Sequence, residues 1–187
     1  MANKDSAFGL KPIGKVGQNR DSQGLSEYSI AASASAIYFQ DPVEMAATGK
    51  ITVAAATDTL LGSLNGVFFT DASTSKPTYA NHLDASNTAT DIVGFVSDDP
   101  YERFEVQSDD ATAAADVGLN ADIVYAAGSS PNYVSKVELD HSDLKTATAQ
   151  LRVLAISKDI ENNEAGSANV NLVVMINEHF LKGTTGI

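Results

Sequence analysis

The sequence predicts an all-β fold, a β-sandwich or barrel of jelly-roll-like kind with an extended N-terminal arm. Three observations lead there. From residue 26 onward, short runs rich in Val, Ile, Tyr and Phe recur, with Gly, Asn, Asp and Ser between them. Several runs alternate apolar and polar side chains, the period-2 signature of a half-buried strand. Helix is confined to two short candidates. The division that follows is an arm at 1–25 and a β-rich body at 26–187.

The arm comes first. Gly9, Pro12, Gly14, Gly17 and Gly24 defeat a regular helix, yet Phe8, Leu10, Ile13 and Val16 recur too regularly for an inert tail. Lys4, Lys11, Lys15 and Arg20 stand against Asp5 in the first twenty residues, giving +3, so the remaining 167 residues carry −15 of the chain's net −12. The arm is expected to be an extended clamp for protein surfaces. Its partner-binding residues would be Phe8, Leu10, Lys11, Ile13, Lys15, Val16 and Arg20, the apolar ones providing grip and the cations setting register. The alternative is a frayed terminus or a first edge strand docked on its own domain.

The body offers ten strand candidates: EYSIA, SAIYFQ, KITVAAA, GVFFT, DIVGFVS, RFEVQ, ADIVYAA, YVSKVEL, QLRVLAIS and NVNLVVMIN. In RFEVQ, Phe104 and Val106 alternate with Glu105 and Gln107; in the last run Val170, Leu172, Val174 and Ile176 share a face. Turns are expected at Asn65-Gly66, at Asp99-Pro100, from Gly128 to Pro131 and from Asn162 to Gly166, where positive φ, fixed φ or side-chain turn bonds are available. The helical candidates are DPVEMAATG, where Pro42 would open a turn, and the alanine stretch at 109–116.

Composition bounds the function. With 43% hydrophobic and 19% charged residues the chain builds a core, and with no cysteine it has no disulfide, thiolate metal site or cysteine nucleophile. The start lacks the apolar core of a signal peptide, and no run approaches the roughly 18 apolar residues that span a membrane. The expectation is a soluble protein, made in the cytosol and kept or assembled there. A charge of −12 opposes binding to nucleic acid or anionic membranes, and the basic arm lacks aromatic platforms beyond Phe8.

Catalytic patterns are missing. His82, His141 and His179 lie far apart without metal-binding spacing and are expected to be solvated loop residues. There is no GxSxG elbow, and the glycines of GLKPIGKVGQ neither follow a strand nor open an amphipathic helix, so they make no phosphate loop. Asp98-Asp99, Asp109-Asp110 and the Asp140-His141-Ser142-Asp143 group invite calcium or paired-carboxylate chemistry, but they lack the spaced calcium-loop pattern and read as turn and capping residues. No catalytic residue, cofactor or metal ligand is assigned, and the chain is expected not to be an enzyme.

Four stretches carry a resemblance: MANKDSAFGLKPI, IYFQDPVEMAATGKI, VGFVSDDPYERFEVQSDDATAAADVGLNADIVYAAG and LRVLAISKDIENNEAGSANVNLVVMINEHF. Together they resemble the small capsid-decorating cement proteins of tailed bacteriophages, encoded near the major capsid protein. The likeness runs along nearly the whole chain, most specifically in DPYERFEVQSDD with ADVGLNAD, then in NVNLVVMINEH. It implies a β-rich virion protein on the outer capsid surface, bridging capsomers and so stabilising the head. Its partners would be the major capsid protein and its own copies, as a homotrimer or a dimer. The alternative is a carbohydrate- or receptor-binding β-sandwich of a phage tail or surface appendage, which the absence of tryptophan disfavours.

Overall fold

Residues 2–17 and 24–183 are described in the structure, a computed structural model. They form thirteen strands: β1 (Lys11–Lys15), β2 (Ser26–Ser29), β3 (Pro42–Met45), β4 (Ile51–Val53), β5 (Leu60–Thr70), β6 (Pro77–Ala80), β7 (Val93–Ser97), β8 (Glu102–Gln107), β9 (Asn120–Ala121), β10 (Ile123–Val124), β11 (Glu138–Leu139), β12 (Leu151–Ile156) and β13 (Asn171–Ile176). Three single-turn 3₁₀ segments are the only helical elements among the described residues, and no helix there is long and apolar enough to cross a membrane. The fold is all-β.

Two antiparallel sheets organise the chain. The first runs β1-β8-β13-β12-β9; the second runs β2-β7-β5-β3-β4, with β6 added on β5; β10 and β11 form a separate ladder. Each sheet has its own apolar cluster. Phe104, Val106, Leu151, Val153, Leu172 and Val174 pack beneath the first, and Ile30, Val43, Ile51, Leu64, Val67 and Val96 beneath the second. The face predicted for the last strand is the buried one, with Val170, Leu172, Val174 and Ile176 all inside. The Asp99-Pro100 corner links β7 of one sheet to β8 of the other.

Two local expectations are corrected. DPVEMAATG supplies strand β3, not a helical turn: Pro42 opens the strand, a place where its missing N–H is tolerated, and Val43 is buried between β4 and β5. Asn65-Gly66 is not a turn either. It lies inside the eleven-residue β5, where the register with β7 shifts between Leu64 and Gly66, a β-bulge.

The arm and body are not separate in the first sheet. Residues 11–15 pair with β8 as its edge strand, Lys11 opposite Glu105 and Lys15 opposite Glu102, with an irregularity at Ile13. The pairing is within one chain, so the edge-strand alternative describes this segment.

Candidate functional site

The N-terminal residues are tied down by backbone recognition. The Lys4 N–H donates to Asn162 Oδ1 at 2.8 Å, and its carbonyl accepts from Asn162 Nδ2 at 2.9 Å and Gln107 Nε2 at 3.0 Å. The Ser6 N–H donates to Gln107 Oε1 at 2.8 Å. Both amide side chains are buried, so these bonds also satisfy groups that would otherwise be orphaned. Gly9 then turns the chain inward at φ +77°, where a Cβ would run into the Gln40 carbonyl and Ser135. Leu10 enters the core of the first sheet with no exposure; its N–H donates to the Gln40 carbonyl at 2.9 Å and its carbonyl accepts from Ser63 Oγ at 2.6 Å.

This placement corrects the reading of Leu10 as a grip on a partner: the chain's own core consumes it. The cations also find acids at home. Lys11 Nζ lies 3.0 Å from Glu105 and 5.9 Å from the centroid of the half-buried Phe8 ring, and Lys15 lies 2.6 Å from Asp99. The hydrogen bond with Lys15 holds the Asp99 carboxyl below its usual range and raises the ammonium. Ile13 and Val16 remain open, at 39% and 50% exposure. Arg20 lies outside the described residues.

Ile13 and Val16 border a trough of about 870 Å³ on the outward face of the first sheet. Its floor is apolar, built from Val173 and Met175 on β13 and from Leu154 and Ala155 on β12, and Tyr101 also lines it. Two features of the register create it. β13 places Val173 beside Glu105 and Met175 beside Arg103, opposite in facing to the buried Leu172 and Val174. β12 shifts register between Val153 and Ala155, which brings Leu154 into the trough lining. Glu105 is anchored by Lys11 and by the Ser157 hydroxyl. Arg103 is exposed and makes no ion pair among the described residues.

The floor residues are not among those expected from the sequence, where only the face of Val170, Leu172, Val174 and Ile176 is assigned in NVNLVVMIN. The signal was present, since Val173 and Met175 make the strand's other face apolar as well. An antiparallel strand that is apolar on both faces leaves one of them unaccounted for by the core.

A second apolar face lies on the other sheet. Phe68, Tyr79 and Phe95 stand on the outward side of β5, β6 and β7, with Phe68 38% and Tyr79 64% exposed. The Tyr79 ring is 5.8 Å from that of Phe95 because Gly66 leaves room for it: a Cβ at Gly66 would sit 2.5 Å from Tyr79 Oη. The bulge glycine therefore permits an aromatic pair to span β5.

The polar clusters are engaged in structure. Asp98 accepts from Tyr28 Oη at 2.5 Å and Ser26 Oγ at 2.9 Å; Asp109 accepts from the His141 N–H at 2.8 Å; Asp143 pairs with Lys145 at 2.7 Å. Among the described residues no group of three or more His, Cys, Asp or Glu is placed to hold a metal ion. His82 stacks on Tyr133 at 3.8 Å between centroids, and His141 Nδ1 lies 3.3 Å from Thr112 Oγ1. His179 is not solvated as expected but buried, which pushes its pKa down to about 4. Comparison of the chain with protein-family models, curated proteins and solved structures yields no match.

Proposed function

We propose that the chain is a structural virion protein, a cement protein that binds the outer face of a shell of major capsid protein and bridges capsomers, acting as a homo-oligomer. The observation that carries this reading is the pair of exposed apolar faces on different sheets: the trough bordered by Ile13, Val16, Val173 and Met175, and the aromatic face of Phe68, Tyr79 and Phe95. A bridging protein needs at least two contact surfaces, and contiguous exposed apolar patches mark such surfaces. The sequence resemblance to phage decoration proteins supplies the partner. Repetition over a shell turns modest individual contacts into a strong collective hold.

The test is to add the purified protein to expanded, undecorated shells of the neighbouring capsid protein, then measure co-sedimentation and the temperature at which the shells disrupt. Saturable binding with a raised disruption temperature is the expected result. Shells that pellet without the protein would refute the reading.

A second reading draws on Tyr79. Its exposed ring beside Phe95 is the kind of apolar platform on which a sugar ring stacks, which favours the carbohydrate-binding alternative more than composition alone did. Specific, saturable binding on a glycan array, lost on Tyr79→Ala, would establish it.

A further inference from the structure

We propose that the trough is the seat of a second copy of this chain, entered by the loop at 159–161 with Ile160 as the anchor. This deepens the cement reading by naming the occupant of one of its two faces. Ile160 is 89% exposed, the highest value among the large hydrophobic residues described. Its exposure is built in. The Asp159 N–H donates to Ser157 Oγ at 3.2 Å, the Glu161 N–H donates to Asp159 Oδ1 at 3.1 Å, and the Asn162 N–H donates to the Asp159 carbonyl at 3.2 Å, so the turn holds Ile160 outward.

The chemistry of this knob matches the chemistry of the trough. Ile160 stands between two carboxylates, Asp159 and Glu161, and the trough combines an apolar floor with Arg103, which has no ion pair among the described residues. Lys158 is exposed at the rim. Lys11, Arg103 and Lys158 outnumber Glu105 and Asp159 in the lining, a local excess of positive charge on a chain of net charge −12. The favoured occupant is therefore apolar with flanking acids, and the chain displays such a segment on its own surface. Ser157, Lys158 and Asp159 line the trough while Ile160 follows directly, so each copy presents knob and seat side by side. Ile160 of one copy would rest on Val173 and Met175 of the next, with Glu161 against Arg103.

Sedimentation of the free protein tests this, with no shell present. The wild type is expected to exceed monomer mass, and Ile160→Ser to weaken self-association about ten- to a hundredfold, the effect of losing one buried large aliphatic side chain. Arg103→Glu should weaken it as well, and the double variant Arg103→Glu with Glu161→Arg should recover it by reversing the pair. All three positions are exposed, and thermal unfolding of each variant verifies that the fold is kept. A monomeric wild type, or an oligomer indifferent to Ile160→Ser and Arg103→Glu, overturns the proposal. Shell binding by that same protein is read separately. A monomer that decorates shells keeps the shell-binding part of the cement reading and removes its homo-oligomer, and an oligomer that both substitutions weaken but that ignores shells supports the loop contact alone.

Discussion

Two buried titratable side chains set opposing pH dependences. Asp41 is fully buried; Oδ2 accepts from the Tyr38 N–H at 2.8 Å, while Oδ1 has no hydrogen-bond partner. Burial, only partly offset by Ser135 and the Tyr38 amide, pushes its pKa from 3.8 up to about 6. The folded state therefore holds the proton more tightly than the unfolded chain, and the stability this provides is full below about pH 4 and lost as pH rises through 6. His179 does the reverse. Burial first, then the Lys182 charge, lowers it from 6.5 to about 4, against the attraction of Asp98 and Asp99. Its contribution is present above pH 6.5 and lost as pH falls through 4. Each shift corresponds to about 3 kcal/mol, so over the shared window the two slopes nearly cancel. Asp41→Asn and His179→Asn each keep an acceptor for the local backbone N–H and remove the titration. Relative to wild type, unfolding free energies from pH 4 to 6.5 should gain a positive slope with pH in Asp41→Asn and a negative one in His179→Asn. Parallel profiles would mean that neither group titrates as its burial requires.

Strand β1 accounts for two of the four basic residues at the N-terminal end of an acidic chain, Lys11 and Lys15. An unpaired strand edge invites further strands, and Lys11, Lys15, Pro12 and the irregularity at Ile13 are the devices that blunt such an edge. The arm's apolar residues then divide into two kinds. Leu10→Ala should cost about 2–5 kcal/mol in a denaturant titration, because it leaves a cavity under β8. Val16→Ser, on the open rim of the trough, should stay within about 0.5 kcal/mol. Equal costs would refute the division. Sequence spacing alone treats Leu10 and Val16 alike, since what separates them is non-local: the Gln40 carbonyl that accepts from the Leu10 N–H and the Ser63 hydroxyl that donates to its carbonyl lie more than twenty-five residues away. The strands themselves were readable where one face is apolar and the other polar, as in Phe104-Glu105-Val106-Gln107. Asn65-Gly66 misled because a glycine that makes room for Tyr79 in a bulge carries the same local signal as one that makes a turn. SAIYFQ has the composition of a strand, but in the fold only Ile37 and Phe39 make isolated bridges, to Leu83 and Val134.

Net charge governs how copies of the molecule meet. Two chains of −12 repel, and the trough contact must form against that field. For a compact chain of this length the centre separation at contact is about 40 Å, and 144 charge products at that distance in water amount to about 15 kcal/mol without ions. Exposed ion pairs such as the one proposed between Glu161 and Arg103 return only about 0–1 kcal/mol each. Mobile ions discriminate between these effects. At about 0.15 M the screening length is about 8 Å, much shorter than the centre separation, so most of the repulsion disappears while the burial of Ile160 is untouched. Self-association should therefore tighten as salt is raised from about 0.01 M to about 0.15 M, where a contact dominated by its ion pairs would loosen. Sedimentation of the free protein at the two ionic strengths distinguishes them: a dissociation constant that falls with salt places the grip in Ile160 and the trough floor, and one that rises places it in the charges of the rim.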